Sequence, residues 1–303
     1  MRVLSLIASS TEIVYALGCG DKLVGHSHEC DFPPTVLDLP YCTEPKFNIN
    51  GSSIEIDNRV KSILQEALSV YRIDEGILTE LNPDLIITQS QCDVCAVSLS
   101  DVESAVRKIL GKKPNIVSLE PNQLTDIWDD IKKVATALNI EKRGTSLIAE
   151  MRERMKNLYN MALDLEKKTV ACIEWIDPLM AAGNWVPELV EMAGGINLFG
   201  LKGKHSPWME FEDLNKKDPD VIIIMPCGYN IDKSNQEMET LRIMSKWVNL
   251  KAVQNGDVFL TDGNQYFNRP GPRLVESLEI LMEVLHRDKF DFGHKNTGWK
   301  KYN

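Results

Sequence analysis

The stretches Leu81-Asn82-Pro83-Asp84-Leu85-Ile86-Ile87 and Lys217-Asp218-Pro219-Asp220-Val221-Ile222-Ile223 are written to one design. In each, a helical pattern ends, a Pro-Asp pair turns the chain, and an apolar run follows. Proline stops a helix because it has no N–H and its ring crowds the preceding turn. An unbroken apolar run suits a strand enclosed on both faces, as in a parallel sheet. One such unit in each half of the chain, each ending in a polar loop, predicts two similar α/β lobes. Further strand patterns fall at Val3–Ile7, Leu23–Gly25, Leu85–Thr88 and Ile116–Leu119 in the first half. In the second half they fall at Val170–Glu174, Val221–Met225 and Val258–Thr261. Helical periods follow several of them, as at Ser10–Leu17 and Pro187–Ala193.

Residues 122–168 separate an N-terminal lobe, 1–121, from a C-terminal lobe, 169–303. They are helical and rich in charge. Ile127, Ile131, Val134 and Leu138 share one face. After a break at Asn139–Gly144 a second face runs through Leu147, Met151, Met155, Leu158 and Met161-Ala162. These methionines read as core packing. The absence of a Gly/Ser-rich linker predicts that the lobes are joined by this stiff helical segment.

The chain has 303 residues, 43% hydrophobic and 26% charged, with a formal net charge of −10. Length and composition fit a globular protein of two domains. No apolar run reaches the roughly 20 residues a membrane span needs. The scattered basic residues argue against nucleic acid, which requires a concentrated positive patch. The first residues already form a strand pattern, without the charged start and small-residue cleavage site of a secretory leader. Seven cysteines, an odd number, fit a reducing compartment. The expectation is therefore cytoplasmic, the alternative being a periplasmic or extracellular protein already trimmed of its signal peptide.

The opening RVLSLIASSTEIVYALGCGDKLVGHS, the two Pro-Asp strands, the helix between the lobes and the late stretch GDVFLTDGNQYFNRPGPRLVESLEIL together resemble one family. They are similar to the ABC-type substrate-binding proteins for cobalamin and iron-siderophore import, most of all the cobalamin-binding branch, including members without an export signal. The resemblance runs from about Arg2 to His286. It implies two Rossmann-like α/β lobes with parallel sheets, joined by a long rigid helix, with a ligand cleft between them. It also implies a corrinoid such as cobalamin as ligand and a carboxylate on each lobe that docks on a permease. The acid is expected seven residues before the proline of the Pro-Asp turn. Glu212 matches in the second lobe. In the first, Gly76 holds that place and Glu75 lies one residue off, which leaves the docking role in doubt.

In open parallel sheets, ligands bind beyond the carboxyl ends of the strands. Those ends are Ser9-Ser10-Thr11, His26–Cys30, Gln89–Cys95 and Glu120 in the first lobe. In the second they are Glu174-Trp175, Cys227-Gly228-Tyr229 and Gly263–Arg269. Aromatics, amides and sulfur dominate, a lining suited to a large, partly apolar ligand. The candidate ligand contacts are Ser10, Thr11, His28, Gln89, Gln91, Trp175, Trp185, Trp208, Tyr229, Tyr266 and Arg269. Any one tryptophan can equally pack a lobe; as a set they offer a macrocycle aromatic walls. His26 and His28 flank Ser27 just after a short strand, and only one of them is expected to face the cleft. His28, farther along the loop, is the choice. Arg269 either grips a ligand phosphate or carboxylate or fixes its own loop.

Cys92 and Cys95, in ITQSQCDVCAVS, hold metal, cycle as a disulfide, or only line the cleft. The candidate metal ligands are His28, Cys30, Cys42, Cys92 and Cys95. The sequence carries no G-x-S-x-G elbow, no P-loop and no H-E-x-x-H, and Gly18-Cys19-Gly20 follows a helix and reads as its stop. Corrinoid binding leads, and an enzyme is the lesser expectation. The alternatives are a cytosolic enzyme using the cleft cysteines for redox or metal-assisted chemistry, and a Cys/His metal-binding protein.

Overall fold

The structure, a computed structural model, describes residues 1–65, 70–91, 98–109, 113–244 and 246–302. The chain divides into two compact units. The first comprises Met1–Gly51, Glu55–Pro121 and Thr125–Glu150, and the second Ser52–Ile54, Asn122–Leu124 and Met151–Asn303.

In the first unit the strands are β1 (Val3–Ser5), β2 (Leu23–His26), β3 (Thr43–Pro45), β4 (Tyr71–Ile73), β5 (Leu85–Gln89) and β6 (Asn115–Leu119). Four of them form a parallel sheet in the order β2-β1-β5-β6, while β3 and β4 make a small antiparallel ribbon. The helices of the first half are α1 (Ala8–Ala16), α2 (Ser53–Gln65), α3 (Glu75–Leu81), α4 (Leu99–Ile109) and α5 (Leu124–Ala137). The chain passes into the second unit along the 22-residue α6 (Glu141–Ala162). Gly18, just past the end of α1, has φ +69°, the left-handed conformation that glycine adopts at a helix stop.

The second unit holds β7 (Lys168–Trp175), β8 (Met180–Ala181), β9 (Gly195–Asn197), β10 (Val221–Ile224), β11 (Val258–Thr261) and β12 (Trp299–Lys301). Its helices are α7 (Val186–Met192), α8 (Phe211–Lys217), α9 (Ile231–Arg242), α10 (Lys251–Gln254) and α11 (Leu274–Leu285). The sheet runs β12-β11-β10-β7-β8, with β9 also paired to β7. Its centre is parallel, as the apolar runs require, but β8 and β12 join antiparallel. These short edge strands carry no buried apolar run, and the sequence gives no sign of them.

All seven expected strands form. The long helical region is two helices, broken where Asn139 turns left-handed at φ 58°. Ile127, Ile131, Val134 and Leu138 are buried, as are Met151, Met155, Leu158 and Ala162. Met161 is exposed, and Ile148 is buried where the pattern named its neighbour Leu147.

The two Pro-Asp units share a helix stop and an aspartate bond to the neighbouring strand. Helices α3 and α8 each stop at a left-handed residue, Asn82 (φ 39°) and Asp218 (φ 43°), whose N–H donates to the carbonyl of Leu78 and of Leu214 at 3.0 Å. The aspartate after each proline then accepts a backbone N–H from the neighbouring strand. Asp84 Oδ2 takes Arg2 N at 2.7 Å, and Asp220 Oδ2 takes Thr169 N at 2.8 Å. This fixes β5 beside β1 and β10 beside β7. Asp220 also accepts from Thr169 Oγ1 at 2.7 Å and pairs with Lys251. Desolvation works to raise its carboxyl, but Lys251 and the Thr169 donors outweigh it and hold the group at about 2.

A depressed carboxyl stabilises the fold above its unfolded value and loses that contribution as pH falls towards the folded one. Asp220→Asn should therefore lower the unfolding free energy by about 1–2 kcal/mol in urea denaturation at neutral pH. The difference from the unsubstituted protein should shrink as pH falls from about 4 to about 2. Asp84→Asn, at a more exposed carboxyl, should cost less. Equal losses at every pH would contradict the account.

Candidate ligand-binding site

In the first unit the strand-end loops are tied to their own core. Ser10 and Thr11 are wholly buried: Ser10 Oγ lies 2.6 Å from Ser5 Oγ, and Thr11 Oγ1 lies 2.7 Å from Ser5 Oγ and 3.1 Å from Cys30 Sγ. These contacts anchor the His26–Cys30 loop to the start of α1. His26 is buried, and His28 is partly exposed. His28 Nδ1 is 2.8 Å from Thr43 Oγ1, its Nε2 is 3.1 Å from the Glu29 carboxylate, and its ring meets Tyr71 at 5.1 Å. Gln89 is buried and Gln91 half-buried.

The metal expectation gains no support. Cys30 and Cys42 are buried with separate partners, and the Cys42 thiol donates to the Asp74 carbonyl at 3.7 Å. Desolvation, then the charge of Asp74, pushes that thiol up to about 12, so it stays protonated where a ligand must be a thiolate. Among the described residues no group of three or more His, Cys, Asp or Glu is arranged to hold a metal ion. Cys92 and Cys95 lie outside the described residues.

In the second unit the residues at the carboxyl edge fall into two groups. Trp185, Arg269 and Tyr229 turn inward. The Trp185 indole donates to the Phe267 carbonyl at 3.0 Å, and Arg269, 4% exposed, donates to Asn264 Oδ1 at 3.1 Å. Both therefore brace the Gly263–Arg269 loop. Tyr229 is 4% exposed, its ring 5.3 Å from that of Trp175 with Lys233 over it, and burial pushes its phenol up.

Trp175, Trp208 and Tyr266 reach the surface. Strand register sets the two tryptophans in one row: Trp175 pairs with Met180 on β8, and Met180 pairs in turn with Trp208. Residues paired across neighbouring strands share a face. Three strands at the usual spacing make this wall about 10 Å wide. Trp175 and Met180 are half-buried and Trp208 is 55% exposed. Tyr266 is half-buried under the Arg273 guanidinium, 4.4 Å from its ring centroid.

Glu174 stands beside this row, a residue the sequence reading passed over. The register of β7 against β8 shifts between Ile173 and Trp175, so Glu174 is the extra residue of a bulge. Bulges re-aim side chains. Here the carboxylate accepts from Ser206 Oγ at 2.9 Å, and Ser206 Oγ accepts from Gly183 N at 3.1 Å. Ser206 belongs to a strap, residues 201–209, bound antiparallel to residues 179–184 through Ala181 N to Pro207 O (3.0 Å), Asn184 N to Lys204 O (2.7 Å) and Met209 N to Leu179 O (3.0 Å). The approach needs glycine at 183, since a Cβ there would lie 2.6 Å from Lys204 O. Desolvation pushes the Glu174 carboxyl up to about 7, against the opposing pull of Ser206 and the nearby His205.

The model of the family described as "Periplasmic binding protein" matches residues 3–265. The chain belongs to that family. It is 26% identical to a vitamin B12-binding protein of Vibrio cholerae over 94% of this chain and 88% of that one. It superposes with a TM-score of 0.71 on a possible iron-binding, periplasmic solute-binding protein of Staphylococcus epidermidis, at 20% identity over 94% of this chain and 98% of the other. With the periplasmic heme-binding protein RhuT of Roseiflexus the TM-score is 0.68, at 23% identity over 94% and 98%. The resemblance to substrate-binding proteins for cobalamin and iron-siderophores thus holds.

A raised carboxyl favours folding below its unfolded value and loses that contribution as pH rises through the folded one. Unsubstituted protein and Glu174→Gln should unfold alike at about pH 5, while at about pH 8 the variant should be more stable by roughly 1–3 kcal/mol. Urea midpoints at the two pH values test this, and parallel profiles would refute it.

Proposed function

We propose that this chain binds a cobalamin-like corrinoid or a related metallo-macrocycle, held by its face against the row Trp175, Met180 and Trp208. That row carries the reading. An exposed tryptophan aligned by sheet register with a second tryptophan and a polarizable thioether offers a flat apolar ring a matching surface. Tyr266 on the neighbouring loop adds an aromatic, and Glu174 adds one polar group beside the wall. A large apolar surface with few convergent polar groups is the usual lining of such sites. The family is one of binding proteins, which favours binding over the enzyme reading.

The partner implied by the family is an ABC permease, with Glu75 and Glu212 as docking acids. Each lies in the first turn of the short helix before a Pro-Asp strand, half exposed and paired with one lysine: Glu75 with Lys108 at 2.9 Å, Glu212 with Lys246 at 3.1 Å. Such exposed pairs contribute little to stability, so a permease arginine can replace the lysine at small cost. Relatives described as periplasmic support a place outside the cytosol over the cytoplasmic expectation.

Cyanocobalamin titrated into the protein should quench tryptophan fluorescence and raise the melting temperature. Trp175→Ala and Trp208→Ala should each weaken binding by about tenfold or more, the usual effect of removing a central aromatic anchor. No change in fluorescence or melting temperature with excess cyanocobalamin would overturn the corrinoid reading. A response to haem alone would move the assignment to porphyrins.

A further inference from the structure

We propose that Glu174 sets ligand selectivity at this wall, admitting a macrocycle rimmed by amide N–H donors and rejecting one rimmed by carboxylates. The inference rests on the corrinoid reading and sharpens it. Its basis is the placement of charge around the row Trp175, Met180 and Trp208.

Glu174 is aimed by its bulge, and its carboxylate is held by Ser206, two residues before Trp208 on the same strap. Alternate residues of an extended segment share a face, so Ser206, Trp208 and the carboxylate between them and Trp175 lie on one side of the sheet. A ring laid on the tryptophans brings its periphery against that carboxylate. An amide edge donates N–H to it. A carboxylate edge meets a like charge in a partly desolvated place, where repulsion is strong.

The two arginines of the neighbouring loop are already engaged. Arg269 is turned inward to Asn264. Arg273 is buried, donates to Gln265 Oε1 at 2.6 Å, and stacks on Tyr266. The arginines of this loop therefore brace the protein and do not reach for an anion. Corrinoids of the cobalamin type carry carboxamides around the ring, whereas haem carries two propionates. The wall suits the former.

The groups that act on the Glu174 carboxyl are Ser206 and the Gly183 backbone N–H, both donors to it, and His205 on the strap, with Cys172 near it on β7. Burial keeps the Cys172 thiol protonated. Because desolvation raises the Glu174 carboxyl, rejection of carboxylates should strengthen as pH rises and that carboxyl ionises.

The test compares cyanocobalamin with the mono-acids made by hydrolysing one peripheral amide, which keep the ring and change a single group. At about pH 8, at least one mono-acid should bind the unsubstituted protein about tenfold more weakly than cyanocobalamin, a difference of about 1.4 kcal/mol. That penalty should shrink at about pH 6, where the mono-acid is still ionised but Glu174 is largely protonated. In Glu174→Gln, whatever its affinity for cyanocobalamin, the mono-acid should bind as tightly as cyanocobalamin at both pH values, because the side chain no longer carries charge. A purely structural role for Glu174 would weaken every ligand alike. If all the mono-acids bind as tightly as cyanocobalamin, or the penalty persists in Glu174→Gln, the inference fails and the corrinoid reading stands. If cyanocobalamin itself does not bind, both fail.

Discussion

Two aspartates decide where the strands of this protein lie. Asp84 and Asp220 each follow a proline, and each gives one carboxylate oxygen to the backbone N–H at the start of the adjacent strand. A parallel strand enclosed on both faces has few polar groups with which to fix its register, and a slip by one residue would turn every side chain to the other face. One hydrogen bond from the turn into the neighbouring strand removes that freedom. With β10 held beside β7, the carboxyl ends of both strands come level, and the loops carrying Trp175 and Tyr229 meet.

The site then depends on an irregularity. Strict alternation along β7 would send Glu174 and Trp175 to opposite faces. The bulge against β8 relaxes that alternation and lets the carboxylate reach Ser206, on the segment that also carries Trp208. A carboxyl so placed is poorly solvated, which is why its affinity for protons rises. On the proposed reading, the same desolvation that costs folding stability above neutral pH also makes the group selective towards what approaches it.

Much of the fold was legible in the sequence because its signals are local. The seven strands announce themselves by apolar runs, the helix stops by left-handed residues before proline, and the buried faces of α5 and α6 by their spacing. The strands that escaped, β3, β4, β8, β9 and β12, are each only two or three residues long and have no pattern of their own. The site was less legible. Aromatic residues at strand ends marked the neighbourhood, but Trp185 and Arg269 are used inside it, bracing the Gly263–Arg269 loop. Side-chain type does not tell whether an indole N–H or a guanidinium finds its partner in the protein or in a ligand.

By itself the sequence determined two α/β units, the strands at their centres and the family to which the chain belongs. Those follow from backbone propensity, periodicity and turn chemistry within a few residues of each position. The tertiary structure alone decided that Trp175, Met180 and Trp208 form one row, that Glu174 stands at its side, and that Ser10, Thr11 and Cys42 are sealed in the core. Each of these depends on register, bulging and burial between segments distant in the chain, and no local pattern of residues records the distance between them.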